Sequence, residues 1–183
     1  MFRWGNFAHD AERRSNTLKP SIDRSSLLLL CGIVMGVVLV DQVTKAMLLH
    51  TLPAKGAAIA VIPGFFDIVH VRNPGGAFGM FAGKSASLRA FFFLAVSGIA
   101  AILMTVFYVQ IPKRFRWLRA GLALVIGGAV GNLIDRIRFG EVIDFIDLYV
   151  GQWHWPAFNV ADSAISIGMG IVVLHVLTNR LPE

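Results

Sequence analysis

Polar and apolar positions in the 183-residue chain fall into long blocks rather than short alternations. Residues 1–25 are polar and basic, and apolar runs then cover about 26–49, 86–110, 120–137 and 160–177. Each run is close to the roughly 20 residues that an α-helix needs to cross the hydrocarbon core of a bilayer. The pattern predicts four membrane-spanning helices in one domain over 26–180, with a polar tail before it and a short end at 181–183. The first run continues past the length of a signal-peptide core and has no clear small-x-small exit, so the first helix is expected to stay in the mature protein. In the third run Gly121, Gly127, Gly128 and Gly131 permit close helix packing.

Between the first two spans the character changes. Pro53, Gly56, Pro63 and Gly64 break any helix, and Phe65-Phe66-Asp67-Ile68-Val69-His70-Val71 is β-prone. Ile68, His70 and Arg72 alternating with Val69 and Val71 predict a short strand outside the membrane. Asn73-Pro74-Gly75-Gly76-Ala77-Phe78-Gly79 then predicts a turn. At Gly75 and its neighbours the backbone can approach a ligand closely. Asn73, which both donates and accepts, is suited to hold a peptide backbone. His70 reads as an ordinary strand residue rather than a metal ligand.

Composition names the solvent. With 56% hydrophobic and 15% charged residues the chain lies far outside soluble composition, and its first partner is membrane lipid. A net charge of +6 could suggest nucleic acid, but the cations collect at the ends of apolar runs, so no nucleic-acid partner is expected. Lys113, Arg114, Arg116 and Arg119 lie in and beside one short connection. They mark it, with the basic tail, as cytoplasmic, which puts both termini inside. Cys31 is the only cysteine, so neither an intrachain disulfide nor a cysteine metal site is possible. It is expected to pack between spans.

The candidate chemistry lies between Gly131 and Asp162, a stretch with four aspartates and two asparagines between apolar runs. Ionisable groups at a membrane boundary are costly and usually functional. Aspartates at the ends of adjacent spans can face each other, share a proton and activate water, which points to an aspartyl hydrolase embedded in a membrane. Asn132, Asp135 and Arg136, at spacings of three and four, share one helix face. Asp135 reads as a polar clamp, and Arg136 as a group that orients a carboxylate or a substrate carbonyl. Asp41 and Lys45, four apart in the first span, form either a supporting ion pair or a substrate contact. Trp153-His154-Trp155 reads as an interfacial aromatic belt. No His-Glu-x-x-His, Gly-x-Ser-x-Gly or Walker loop occurs, and no metal or cofactor is assigned. An ion-coupled transporter and a structural membrane subunit are the competing classes, although four spans without an evident inverted repeat suit a transporter poorly.

Four motifs carry a resemblance to a known family. They are Asp41-Gln42-Val43-Thr44-Lys45, then Asn73-Pro74-Gly75-Gly76-Ala77-Phe78, then Gly127 to Arg136 with Val142-Ile143-Asp144-Phe145, and Phe158-Asn159-Val160-Ala161-Asp162. Together they resemble bacterial lipoprotein signal peptidase, signal peptidase II, from the first span to the last; the longer polar tail is the main departure. The resemblance implies an all-α membrane protein of four transmembrane helices with a small extramembrane β-sheet on the outer, periplasmic side. The implied activity is an inner-membrane aspartyl endopeptidase that cuts diacylglyceryl prolipoproteins just before the lipidated cysteine. It further implies Asp144 and Asp162 as the catalytic pair and Asn73, Asn132, Arg136 and Asn159 as substrate-orienting residues. Asp41, Lys45, Asp135 and Gly75 would support them.

Overall fold

The computed structural model describes residues 24–75 and 85–178. The polar tail up to residue 23, the Gly76–Gly79 part of the expected turn, and Arg180 lie outside them. The elements run α1 (Arg24–Thr51), β1 (Ala58–Ile62), β2 (Phe66–Asn73), α2 (Ala86–Gln110), α3 (Arg116–Phe139), β3 (Val142–Val150), β4 (Trp153–His154) and α4 (Val160–Thr178). Among the described residues, four helices are long and apolar enough to cross a membrane. At 28 residues α1 is about 42 Å long, more than the roughly 30 Å hydrocarbon core requires.

α3 is the central helix. Its most apolar stretch is 61% buried, against 6% for α1, 0% for α2 and 17% for α4, so the other three helices turn their apolar faces outward to lipid. Small residues explain how α3 is surrounded. A Cβ added at Gly128 would land on the Ala161 carbonyl oxygen of α4, and one added at Gly121 would lie 2.9 Å from the Gly168 carbonyl oxygen. Without side chains there, the two backbones meet directly. Tyr108, Leu118, Leu122, Ala123 and Ile126 form the buried core toward the α3 N-terminus. Cys31, expected between spans, is instead exposed on the outward face of α1. Packing in this bundle falls to the glycines of α3, so nothing draws a thiol inward.

The strands form one antiparallel sheet in the order β1-β2-β3-β4. β2 pairs with β3 in a register that sets Val71 opposite Asp144 and Asn73 opposite Val142, with an irregularity between Ile68 and Val71. His70 is buried and accepts from Arg72 Nε at 2.9 Å through Nε2; its Nδ1–H therefore donates to the Leu52 carbonyl at 2.8 Å. It ties the sheet to the end of α1, and no metal role remains for it. α3 stops at Gly140, whose φ of 73° is left-handed and whose N–H returns to the Arg136 carbonyl. The chain thus turns sharply from the membrane helix into β3. One correction follows: Asp144 is not at the end of a span but on β3, so the site forms between a strand and a helix.

Candidate active site

The two ends of the Gly131 to Asp162 stretch are brought together by backbone pairing. The run into α4 lies along β3: Phe145 N–H and Ile146 N–H donate to the Phe158 carbonyl at 3.0 and 2.8 Å, and Phe158 N–H returns to the Ile146 carbonyl at 3.1 Å. The next residue, Asn159, is completely buried and caps α4. Its Oδ1 accepts from Asp162 N–H at 2.9 Å, while Asp162 Oδ2 accepts from Asn159 N–H at 3.3 Å. This reciprocal capping satisfies two N–H groups that a helix start leaves open, and it fixes the Asp162 rotamer. The Asn159 side chain also donates from Nδ2 to Asp144 Oδ1 at 2.7 Å. One asparagine therefore holds both aspartates.

Each carboxylate has one further amide partner from another element. Asn73 Nδ2, at the end of β2, donates to Asp144 Oδ2 at 2.9 Å. Asn132 Nδ2, on α3, donates to Asp162 Oδ1 at 2.8 Å. Gly75 orients Asn73: its N–H donates to Asn73 Oδ1 at 2.9 Å, from a backbone with φ of 85°, where a Cβ would strike the Phe93 ring. Side-chain-bearing residues rarely adopt that φ.

Behind the pair lies a buried charged cluster. Lys45, 2% exposed, bonds Asp41 Oδ2 at 2.9 Å and Asp135 Oδ2 at 2.7 Å, and donates to Asn132 Oδ1 at 3.2 Å. The two carboxylates reach forward. Asp41 Oδ1 accepts from Ala161 N–H at 2.9 Å, and Asp135 Oδ2 accepts from Ile143 N–H at 3.1 Å. Ala161 immediately precedes Asp162 and Ile143 immediately precedes Asp144, so each arm pins the backbone one residue before one aspartate. Gln42 spans both arms, donating to Asp41 Oδ2 at 3.2 Å and Asp135 Oδ1 at 3.0 Å. Sequence reasoning assigns Gln42 no role; its place inside the Asp41 to Lys45 motif is the signal that could have found it. Asp41 and Lys45 thus form the expected ion pair.

Other candidates stand differently. Arg136 donates to the Asn132 carbonyl at 3.2 Å and makes no carboxylate ion pair among the described residues, although the charges of Asp162, Asp144 and Asp135 all act on it. Its guanidinium retains donors for a substrate group. Asp147 is engaged by His154 at 2.9 Å, whose ring stacks on Tyr149 at 4.7 Å. Trp153 and Trp155 are exposed, as a belt requires.

The aspartates differ in setting. Asp144 is 1% exposed, and burial, with the charge of Asp162 adding to it, pushes its carboxyl up to about 6 against the lowering effect of the Asn73 and Asn159 hydrogen bonds. Asp162 opens onto a cavity of about 440 Å3 walled by Trp155, Phe158, Ser163, Ser166 and Ile167. A buried carboxyl with raised proton affinity beside a second carboxyl facing an apolar cleft is an arrangement suited to acid–base work. No group of histidine, cysteine and acidic residues suited to a metal occurs among the described residues.

The chain is 51% identical over 158 residues to the lipoprotein signal peptidase of Desulforapulum autotrophicum, covering 86% of this chain and 97% of that one. It is 48% identical over 138 residues to the lipoprotein signal peptidase of Syntrophotalea carbinolica, covering 75% and 84%. A bacterial membrane enzyme solved by the in meso method superposes with a TM-score of 0.71 at 32% identity, over 88% of this chain and 94% of that one. The family model described as signal peptidase (SPase) II matches residues 33–178, and the chain belongs to the signal peptidase II family.

Proposed function

We propose that this signal peptidase cuts diacylglyceryl-modified prolipoproteins just before the lipidated cysteine, with Asp144 and Asp162 as a proton-sharing pair. The observation that carries the assignment is that Asn159 holds both carboxylates while Asn73 and Asn132 complete their hydrogen bonds with neutral amides. Two close carboxylates do not readily both ionise. Asp144, buried and raised, is the partner that carries the shared proton; Asp162, facing the cavity, is the base. Asp162 takes a proton from water as its oxygen attacks the scissile carbonyl carbon, and Asp144 gives its proton to the carbonyl oxygen. When the tetrahedral intermediate collapses, the proton held on Asp162 goes to the leaving nitrogen, the C–N bond breaks, one hydroxyl proton returns to Asp144, and the signal peptide departs as a carboxylic acid that then ionises to water. Asn73 and Arg136 hold the substrate backbone. The apolar wall from Phe158 to Ile167 suits an acyl chain.

The reading extends to topology. The cations of the 113–119 connection lie at the end of the bundle opposite the aspartates, so both termini lie in the cytoplasm and the site lies near the periplasmic face of the inner membrane. Cleavage of a diacylglyceryl prolipoprotein by the purified chain, followed as a gel shift, tests the assignment. The parent protein is expected to cleave, and Asp144→Asn or Asp162→Asn protein to bind without cleaving. Turnover by either variant at near-parental rate overturns the pair. A reporter fused at Phe115 tests topology, and an external signal overturns it.

A further inference from the structure

The other end of the bundle holds a charge that the aspartyl site does not use. Arg119, on the first turn of α3, is 3% exposed. Its Nη1 donates to Ser26 Oγ at 2.7 Å and its guanidinium lies 4.7 Å over the Tyr108 ring, whose hydroxyl donates to the Ser26 carbonyl at 2.8 Å. Among the described residues its Nε has no hydrogen-bond partner, and no carboxylate pairs with it. A buried cation with no anion is costly. Arg119 walls a cavity of about 380 Å3 together with Ser25, Ser26, Leu29, Lys113 and Arg116, and none of these described lining residues is acidic. The cavity also receives the start of α3, where open N–H groups and the helix dipole favour an anion.

We propose that this cavity binds the phosphate of an anionic membrane phospholipid. A guanidinium fork presents donors in the geometry of phosphate oxygens. The surroundings favour a lipid over a free anion. Leu29 continues the cavity onto the outward apolar face of α1, where Leu28 is 72% exposed, and Trp117 beside it is 78% exposed, as at a headgroup boundary. Ser26 precedes Asp41 by fifteen residues, or about 22 Å of helix, so the lipid site is separate from the aspartates and does not depend on their role. Bound there, the phosphate neutralises Arg119 and clamps the N-terminal ends of α1 and α3 together.

Native mass spectrometry of the full chain released from detergent tests this with palmitoyl-oleoyl phosphatidylglycerol as the probe. One phosphatidylglycerol is expected to be retained in preference to phosphatidylcholine, and to raise the thermal midpoint of the parent protein. Arg119→Gln is expected to abolish retention. Because that residue is buried and the variant could fail to fold, Arg116→Gln gives a second arm, with affinity reduced about fivefold, the size of one cation's attraction to an anionic lipid. Arg114→Gln, which removes a charge from the same connection outside the cavity, is expected to change affinity less than twofold. Equal losses at Arg114 and Arg116, or equal retention of the two lipids, overturn the site. Inorganic phosphate raising the midpoint as far as the lipid does at equal concentration overturns the lipid as its occupant.

Discussion

Two pairs of aspartates sit within one polar network, and their partners differ in kind. Asp41 and Asp135 are buried, share Lys45, and have every carboxylate oxygen bonded, to the ammonium, to Gln42 or to a backbone N–H. Asp144 and Asp162 have every oxygen bonded too, but only to asparagine amides and one backbone N–H. A cation fixes a carboxylate as an anion, whereas a neutral amide fixes its position and leaves its proton free to move. On the proposed function, the rear pair therefore holds shape and the front pair does chemistry. Position in the sequence does not separate the two roles, since all four are aspartates at the same end of the bundle; the partners do.

The largest effect that can break this comparison is on turnover. Asp144→Asn and Asp162→Asn each keep the shape of the side chain and remove its proton exchange, so each is expected to lower kcat by at least roughly a thousandfold, within the range of general acid–base contributions. Folded yield should stay near that of the parent protein. Acting as one unit, the pair should lose little more in the double variant than in either single one. Losses that multiply in single-turnover cleavage would show two independent residues.

Next in size is the rear pair. Lys45→Met leaves Asp41 and Asp135 buried without a cation, at an expected cost of about 3–5 kcal/mol. Folded yield and thermal midpoint should drop, and residual activity per folded molecule should drop as well, because the backbone before both aspartates loses its anchors. Restoring the midpoint with Asp135→Asn on top of Lys45→Met would sharpen the assignment, since one stranded charge is removed. A Lys45→Met protein of parental midpoint and no activity would move Lys45 into direct substrate contact.

Much of this architecture is legible in the amino-acid sequence alone. Four apolar runs of spanning length place four helices, and the glycines of the third, read as permitting close packing, meet the backbone of the last. Asp41, Lys45, Asn73, Asn132, Asp135, Asp144, Asn159 and Asp162, from the motifs that resemble signal peptidase II, lie together in the fold. The details that escape are those requiring tertiary pairing. Asp144 sits on a strand because Gly140 ends α3 in a left-handed turn and β2 then supplies a partner edge, which no local pattern in Val142 to Phe145 announces. Gln42 reads as a polar residue within a charged motif, yet its amide joins helices at positions 93 residues apart in sequence. Cys31 is expected inside because cysteine is often buried; in lipid the outward face of a helix is as apolar as the core, so that rule loses its force.

The smallest effect concerns the proton itself. Asp144 in the folded protein holds its proton up to about pH 6, against an ordinary value of 3.8, so between these values the folded chain binds more protons than the unfolded one. By linkage the free energy of unfolding then falls as pH rises through that window, with the stabilisation fully present below the lower value and lost above the upper. A carboxyl raised from 3.8 to about 6 corresponds to at most about 3 kcal/mol. Asp144→Asn cannot titrate, so the difference between parent and variant stability, measured as thermal midpoints from pH 4 to 7, should fall with rising pH and then level off. Asn73→Ala removes a hydrogen bond that favours the ionised form and should move that fall to higher pH, while Asp162→Asn removes a repelling charge and should move it lower. Parallel curves for the parent and Asp144→Asn proteins would mean that Asp144 binds its proton no more tightly in the folded chain than in the unfolded one. The proton donor would then have to be Asp162, reversing the two roles while keeping the pair.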